Sequence, residues 1–361
     1  MVEVSPTLSP PPGGRVLRNV QALRALAALM VVLVHLEFFA EQLVGDAALF
    51  AWGHAGVDLF FVISGFIMVY TTAGRPVTPQ GFFGQRLARV VPLYWLVTLA
   101  VFAIALVAPQ LMQATRADPV DLLKSLAFIP FEKSNGLTQP IAFVGWTLNY
   151  EMAFYALFAL ALLARRRIVG ILLLMAVLAA AALLGAVLRP DDVFVEFYTE
   201  PIVLEFALGM GLGLLWRRLP AGGGLYLLAL APLFALIFAA PFLWPGVDRA
   251  FAAGLPAFGI VLAALALEKA GRTADAGWVQ RLGDASYAIY LTHFFVTQAG
   301  VKVSEMLGLE GAALAWAMLV TLAAVIAVGL AVHLLVERPI ARLLRGRRAA
   351  PPIRTAPCAS A

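Results

Sequence analysis

The chain has 361 residues, of which 62% are apolar and only 13% charged, and its formal charge is +5. Soluble domains lie nearer half apolar and a quarter charged, so the composition excludes an ordinary soluble protein and describes a polytopic membrane one. The basic residues fall in short clusters between apolar spans, the arrangement that orients a membrane protein, which excludes nucleic acid as the partner. One cysteine, Cys358, excludes a disulfide framework and a thiolate metal site, and His35, His54, His293 and His333 are too scattered to form a metal centre.

Residues 1–18 open with MVEVSPTLSPPPGG. This is proline-rich and lacks the basic, apolar and small-residue sequence of a cleaved signal, so a disordered cytoplasmic tail is expected. Ten stretches then reach the ~20 apolar residues a span needs: 20–40, 55–73, 90–108, 144–164, 168–188, 199–216, 223–241, 248–267, 284–303 and 312–336. With the N-terminus inside, 20 basic residues fall on the inner side and 6 on the outer, accounting for all 26 Lys and Arg. One missed helix would invert the count beyond it, so the expectation is an all-α protein of ten transmembrane helices with both termini cytoplasmic. Residues 341–361, basic and then Ala- and Pro-rich, read as a second disordered tail, with no soluble domain after Glu337. No repeat of fixed period appears, which argues against an inverted-repeat transporter.

The first span, VQALRALAALMVVLVHLEFFA, carries Arg24 and His35. On a continuous helix, eleven residues are three turns plus about 20° and a rise of roughly 16 Å, so both leave one stripe. Ionisable groups inside a membrane are costly, which marks both for chemistry. His35 is either a general base or acyl carrier, or a buried histidine satisfied by another helix. Arg24 either binds an anion or snorkels to the cytoplasmic boundary. The second span begins with Asp58 and holds Ser64-Gly65, a pair suited to close helix approach. RLARVVPLYW places Arg86 and Arg89 one turn apart, with Tyr94 and Trp95 at an interface. The arginines serve orientation or hold a cytoplasmic phosphate bidentately.

The longest connection, 109–143, holds Pro119, Pro130, Pro140 and DLLKSLAFIPF, and reads as an interfacial or re-entrant helix on the outer face. The fourth span opens WTLNYEMAFY, with Glu151 and, on the same face, Tyr155. Glu151 is a candidate to orient the His35 imidazole or bind a hydroxyl, the alternative being a structural ion pair. In the ninth span Ser286, Tyr290 and His293 form one stripe at i, i+4 and i+7, lining either a cavity or a tight polar interface. Glu205, inside the sixth span, is a further candidate, and Glu337-Arg338-Pro339 reads as the terminator of the last helix.

These segments resemble the membrane-bound acyltransferase family 3. The resemblance runs through LRALAALMVVLVH with its Arg-x10-His spacing, GVDLFFVISGF, RLARVVPLYW, WTLNYEMAFY, SYAIYLTH and ERP, from about Asn19 to Pro339 in the family's order. The first two segments look like the branch associated with exopolysaccharide production. The resemblance implies ten helices in a bacterial cytoplasmic membrane and cytoplasmic acyl-CoA, usually acetyl-CoA, as co-substrate with no permanently bound cofactor. The implied acceptor is a sugar hydroxyl of a glycan or its lipid-linked precursor, with polysaccharide-synthesis machinery as a partner. It implies essential roles for Arg24 and His35, with Glu151 beside them. Arg86, Arg89, Tyr94 and Trp95 would serve acyl-CoA, and Asp58, Ser64, Tyr155, Ser286, Tyr290 and His293 the acceptor or its support. Some relatives append an extracytoplasmic esterase-like domain; this chain is expected to transfer the group itself or with a separate partner. Two alternatives stay open: an acyltransferase for a small molecule such as a macrolide, and a transporter or flippase for a glycan intermediate.

Overall fold

The protein, described here as a computed structural model covering residues 16–346 apart from 75, 113 and 245, is all-helical. No β-strand occurs among the described residues, only an isolated antiparallel bridge between Glu132 and Thr138. The expected tails, including Cys358, lie outside the described residues except at 16–18 and 341–346; the last helix runs to Gly346.

In chain order the first elements are α1 (Arg18–Val34), α2 (Glu37–Val44), a 3-10 turn at Ala47–His54, α3 (Ala55–Thr72), α4 (Pro79–Val107) and α5 (Pro119–Leu126). A 3-10 turn at Phe143–Gly145 leads into α6 (Trp146–Ala161), followed by α7 (Arg167–Leu188), α8 (Val193–Thr199), α9 (Leu204–Leu215) and α10 (Gly224–Leu243). A π turn at Ala250–Gly254 opens α11 (Leu255–Lys269); then come α12 (Gly277–Met306), α13 (Gly311–Val332), a second π turn at His333–Glu337 and α14 (Arg338–Gly346). Six described helices are long and apolar enough to cross a membrane, and eight when the bent pairs α1/α2 and α8/α9 each count as one span. The predicted spans 144–164 and 284–303 are helices too, but α6 has only 16 residues and α12 is interrupted by polar groups. The chain is thus a multi-pass, all-helical membrane protein.

The expected continuous helix over 20–40 is broken at His35. The His35 N–H bonds the Val32 carbonyl at 3.1 Å and the Leu36 N–H that of Leu33 at 3.0 Å, so the end of α1 tightens to i→i−3 bonding and α2 departs at 57°. The Val31 carbonyl loses its backbone donor, and the His35 ring replaces it, with Nδ1 2.8 Å away. The other end of α1 has no local cap. Its first N–H groups, those of Arg18 and Asn19, donate instead to the two oxygens of Glu268 on α11 at 3.1 and 2.7 Å. The Asn19 amide completes the clamp on the carbonyls of Ala264 and Arg272 at 3.0 and 2.9 Å.

Helix α4 begins eleven residues before the predicted start at 90, because Thr78 caps it by accepting from the Gly81 N–H at 3.1 Å and Pro79 supplies a preset first turn. The Glu337-Arg338-Pro339 stretch does not terminate the last helix. It widens the helix into a π turn, as 250–254 does ahead of Pro256. A proline has no N–H and crowds the carbonyl four residues back, and the wider turn accommodates both effects.

The expected close approach at Gly65 is present and reciprocal. A Cβ on Gly65 would lie 2.2 Å from the Phe206 carbonyl oxygen of α9, and one on Gly209 would lie 2.0 Å from that of Val62 on α3. The two backbones touch there, a packing open to glycine alone. Gly65→Leu is therefore expected to destabilise the protein by ~3 kcal/mol, the upper end of overpacking, since a backbone carbonyl cannot turn away. Gly211→Leu, whose Cβ would meet only a methionine methyl at 3.7 Å, is expected to be tolerated. Thermal unfolding in detergent checks the pair, and equal losses would refute the contact argument.

Candidate active site

His35 lies half-buried at the break between α1 and α2, against the rings of Phe143 at 5.5 Å and of His293, on α12, at 4.7 Å. Its Nδ1 faces two groups, the Val31 carbonyl at 2.8 Å and His293 Nε2 at 3.3 Å. His293, wholly buried, directs its own Nδ1 to the Tyr290 carbonyl at 2.6 Å. A carbonyl only accepts, so in the neutral pair each Nδ1 carries the proton and each Nε2 a lone pair. The two lone pairs have different uses: that of His293 receives the shared His35 Nδ1–H, while His35 Nε2 has no protein partner among the described residues and is open to a reactant. A neutral imidazole held by its other nitrogen is the arrangement a general base or nucleophile needs.

Arg24, roughly 16 Å earlier in the helix, is gripped from two sides. One guanidinium nitrogen donates to Gln21 on its own helix and another to Ser286 on α12, both at 2.9 Å. Gln21 in turn donates to Asp284. Arg86 donates to Thr71 at 3.3 Å and lies over the rings of Phe82 and Tyr155 at 5.3 and 5.5 Å. Arg89 forms no hydrogen bond or ion pair with the described residues, yet it sits within electrostatic range of both Arg24 and Arg86. Three guanidinium groups together, one with every donor free, form a site for an anion with several oxygens.

Several expectations are corrected by these contacts. Glu151 does not orient His35; it accepts from Ser64 Oγ at 3.2 Å and from the Tyr155 hydroxyl, which places Ser64, Glu151 and Tyr155 in one half-buried knot beside Arg86. The task expected of Glu151 falls to the Val31 carbonyl and His293. The stripe Ser286, Tyr290 and His293 is buried and bonded as a tight polar interface. Ser286 receives Arg24, His293 pairs with His35, and the Tyr290 hydroxyl bonds the Val144 carbonyl at 2.7 Å and Thr147 Oγ1 at 2.8 Å. Tyr290 thereby fixes the turn that carries Phe143 to His35. Tyr94 and Trp95 do not join the arginines: they donate to the carbonyls of Ser125 and Leu126, each at 3.0 Å, and tie α4 to α5 in the connection before α6. Two more turns of helix beyond Arg86 carry them there.

Asp58 is also occupied. Arg249 holds it through Nε at 3.1 and 3.2 Å and Nη2 at 2.7 Å, while Nη2 also meets the His54 carbonyl at 2.6 Å. Glu205 lies fully buried beside this pair with both oxygens lacking a hydrogen bond. Sequence reasoning assigned no role to Arg249, Phe143, Thr147 or Gln21. Nothing in local spacing links Arg249 to a carboxylate 191 residues away.

A family model described as an acyltransferase domain matches residues 17–336. The chain belongs to the membrane-bound acyltransferase family 3. It is 37% identical over 313 residues to the exopolysaccharide production protein ExoZ of Rhizobium meliloti (strain 1021), covering 83% of this chain and 93% of that one. It is 30% identical over 386 residues to the acyltransferase MdmB of Streptomyces mycarofaciens, covering 94% and 95%. No solved structure matches it. The protein is an acyltransferase for groups other than aminoacyl groups, and the polar core just described is the candidate seat of that activity.

Two outcomes follow for this acyltransferase. Breaking a fully buried ion pair on one side strands a charge at ~3–5 kcal/mol, a cost reduced here because the Arg249 side chain is one-third exposed, whereas an apolar pair is nearly neutral. Asp58→Leu is therefore expected to lower the unfolding temperature more than the Asp58→Leu/Arg249→Leu double variant does, and the reverse order would refute the pairing. His293→Leu is expected to lower kcat roughly 10- to 100-fold, a loss of about 1.4–3 kcal/mol. KM for the acyl donor should be unchanged, since His293 acts through the His35 ring. A change confined to KM would remove it from that role.

Proposed function

We propose that the protein is an O-acyltransferase of the bacterial cytoplasmic membrane, moving an acetyl group from cytoplasmic acetyl-CoA to a sugar hydroxyl of an exopolysaccharide or its precursor. In this reading the chain crosses ten times with both termini cytoplasmic, which the 20-to-6 distribution of basic residues over the ten predicted spans supports. The similarity to a protein named for exopolysaccharide production supports a glycan acceptor.

The observation that carries the donor assignment is the unpaired Arg89 beside Arg24 and Arg86, one arm's length along α1 from an imidazole with an open nitrogen. Guanidinium groups take the phosphates of the nucleotide, and the thin pantetheine arm spans the roughly 16 Å to His35. His35 Nε2 removes the proton of the sugar hydroxyl as its oxygen attacks the thioester carbonyl. The carbon–sulfur bond then breaks, and the imidazolium returns the proton to the departing thiolate, leaving the ester and free CoA. The charge that forms on His35 in this step is stabilised by His293 Nε2 and the Val31 carbonyl, both already in place. A transporter has no need of an imidazole aligned with a phosphate-binding cluster.

Purified protein with labelled acetyl-CoA and a glycan acceptor tests this. His35→Ala is expected to lower CoA release by a factor of about 10² to 10⁴, the range for a lost general base. Arg89→Ala is expected to raise KM for acetyl-CoA about tenfold, equal to ~1.4 kcal/mol, with kcat retained. Wild-type turnover by His35→Ala would sink the mechanism, and failure to consume any acyl-CoA would favour a carrier for a glycan intermediate.

A further inference from the structure

The connection between α4 and α6 forms a half-open cavity of about 310 Å³ that no step above uses. This is at the lower end of the ~300–1,000 Å³ of small-molecule sites. We propose that it is a subsite for a neutral sugar unit of the acceptor, separate from the unit that is acylated. The proposal rests on the glycan reading of the function.

The lining has the chemistry of a carbohydrate site. Arg116 and Lys133 offer donors, Asp121 and Glu132 offer acceptors, and Ser134 offers both, with Ala114 and the largely buried Phe131 and Ile141 as the apolar part of the lining. Two cations face two anions, so an acidic unit gains no net attraction. Sugar hydroxyls each donate and accept, and a balanced mixture of donors and acceptors satisfies them.

The walls are built in advance. Lys133 Nζ donates to Thr115 Oγ1 at 3.0 Å and the Ile141 carbonyl at 3.4 Å, and the Ile141 N–H donates to Ser125 Oγ at 2.9 Å. Tyr94 and Trp95 hold the other side through Ser125 and Leu126. Partial burial brings the Lys133 ammonium down to about 8, so it is still mostly charged near neutrality. A site held in shape this way loses little entropy when it binds.

Position supports the same assignment. Ile141 lines the cavity, and Phe143, two residues on, touches the His35 ring. Two extended residues and one ring contact put the cavity on the order of 15 Å from His35. A glycan seated here reaches the catalytic group with a neighbouring unit, and binding energy from the remote unit is available to position the reacting hydroxyl.

Saturation-transfer NMR on the full-length protein in nanodiscs tests the subsite, using neutral disaccharides of glucose, galactose and mannose, with glucuronate as the anionic comparison. At least one neutral disaccharide is expected to bind, with Kd raised about tenfold in Arg116→Gln and Asp121→Asn. Ser134→Trp, which fills the cavity from an exposed position, is expected to abolish the signal. Binding should persist in His35→Ala, and acetyl-CoA affinity should be the same in all cavity variants. Binding of glucuronate alone, no neutral binding in the wild type, or binding indifferent to all three cavity variants would each overturn the proposal. Failure of the wild type to consume acetyl-CoA while neutral sugars still bind would instead overturn the donor assignment and leave the subsite standing.

Discussion

The bond from the His35 ring to the Val31 carbonyl is the contact on which the rest of the core depends. Inside a bilayer every backbone polar group must find a partner within the protein, so a helix cannot end there without a substitute donor. The imidazole is that donor. By taking the place of a backbone N–H, it ends α1, releases α2 at an angle and leaves its own Nε2 facing outward from the break. One side chain thus serves as helix terminator and candidate base, and the first role settles the tautomer needed for the second.

Polar contacts along its length hold α1 against α11 and α12. At the lower end Glu268 and Asn19 clamp the start of α1, midway Ser286 receives Arg24, and at the upper end His293 meets His35. These are polar contacts between helices, where an unmet group has no water to turn to, and they define the rotation of α1 as well as its position. The α3–α9 crossing, with backbones touching at Gly65 and Gly209, brings Asp58 and Glu205 together, and Arg249 answers one of them. Glu205, beside that pair, is left with unmet oxygens, as are the Asn149 amide and the Thr98 hydroxyl elsewhere in the described core, and each is an unresolved cost.

The residues that reasoning on the sequence singled out are nearly all part of the polar core, but several hold different posts from those expected. Arg24, His35, Ser286 and His293 could be picked out because an ionisable or polar group within an apolar span has few uses, and a helical stripe says which of them share a face. Glu151 and Tyr155 share a face at i and i+4, but the pairing of Glu151 with Ser64 could not be read, because a carboxylate at helical depth is equally compatible with any facing helix. Tyr94 and Trp95 were read beside the arginines because the start of α4 was placed too late. Once Thr78 and Pro79 are seen to open the helix, the aromatics move a further stretch along the axis and meet α5.

What the sequence by itself determined was the class of protein, all-helical with several apolar spans, and it singled out a short set of ionisable and polar groups within those spans. These follow from hydrophobic runs, helical period and the expense of burying charge, all of which act within a few turns of one chain segment. Only the tertiary structure decided that α1 breaks at His35, that His293 and not Glu151 stands behind the imidazole, and that Arg249 neutralises Asp58. Each of those rests on a donor and an acceptor from helices far apart in the chain. Satisfying both in a medium without water is a condition on the assembled bundle, and no local pattern encodes it.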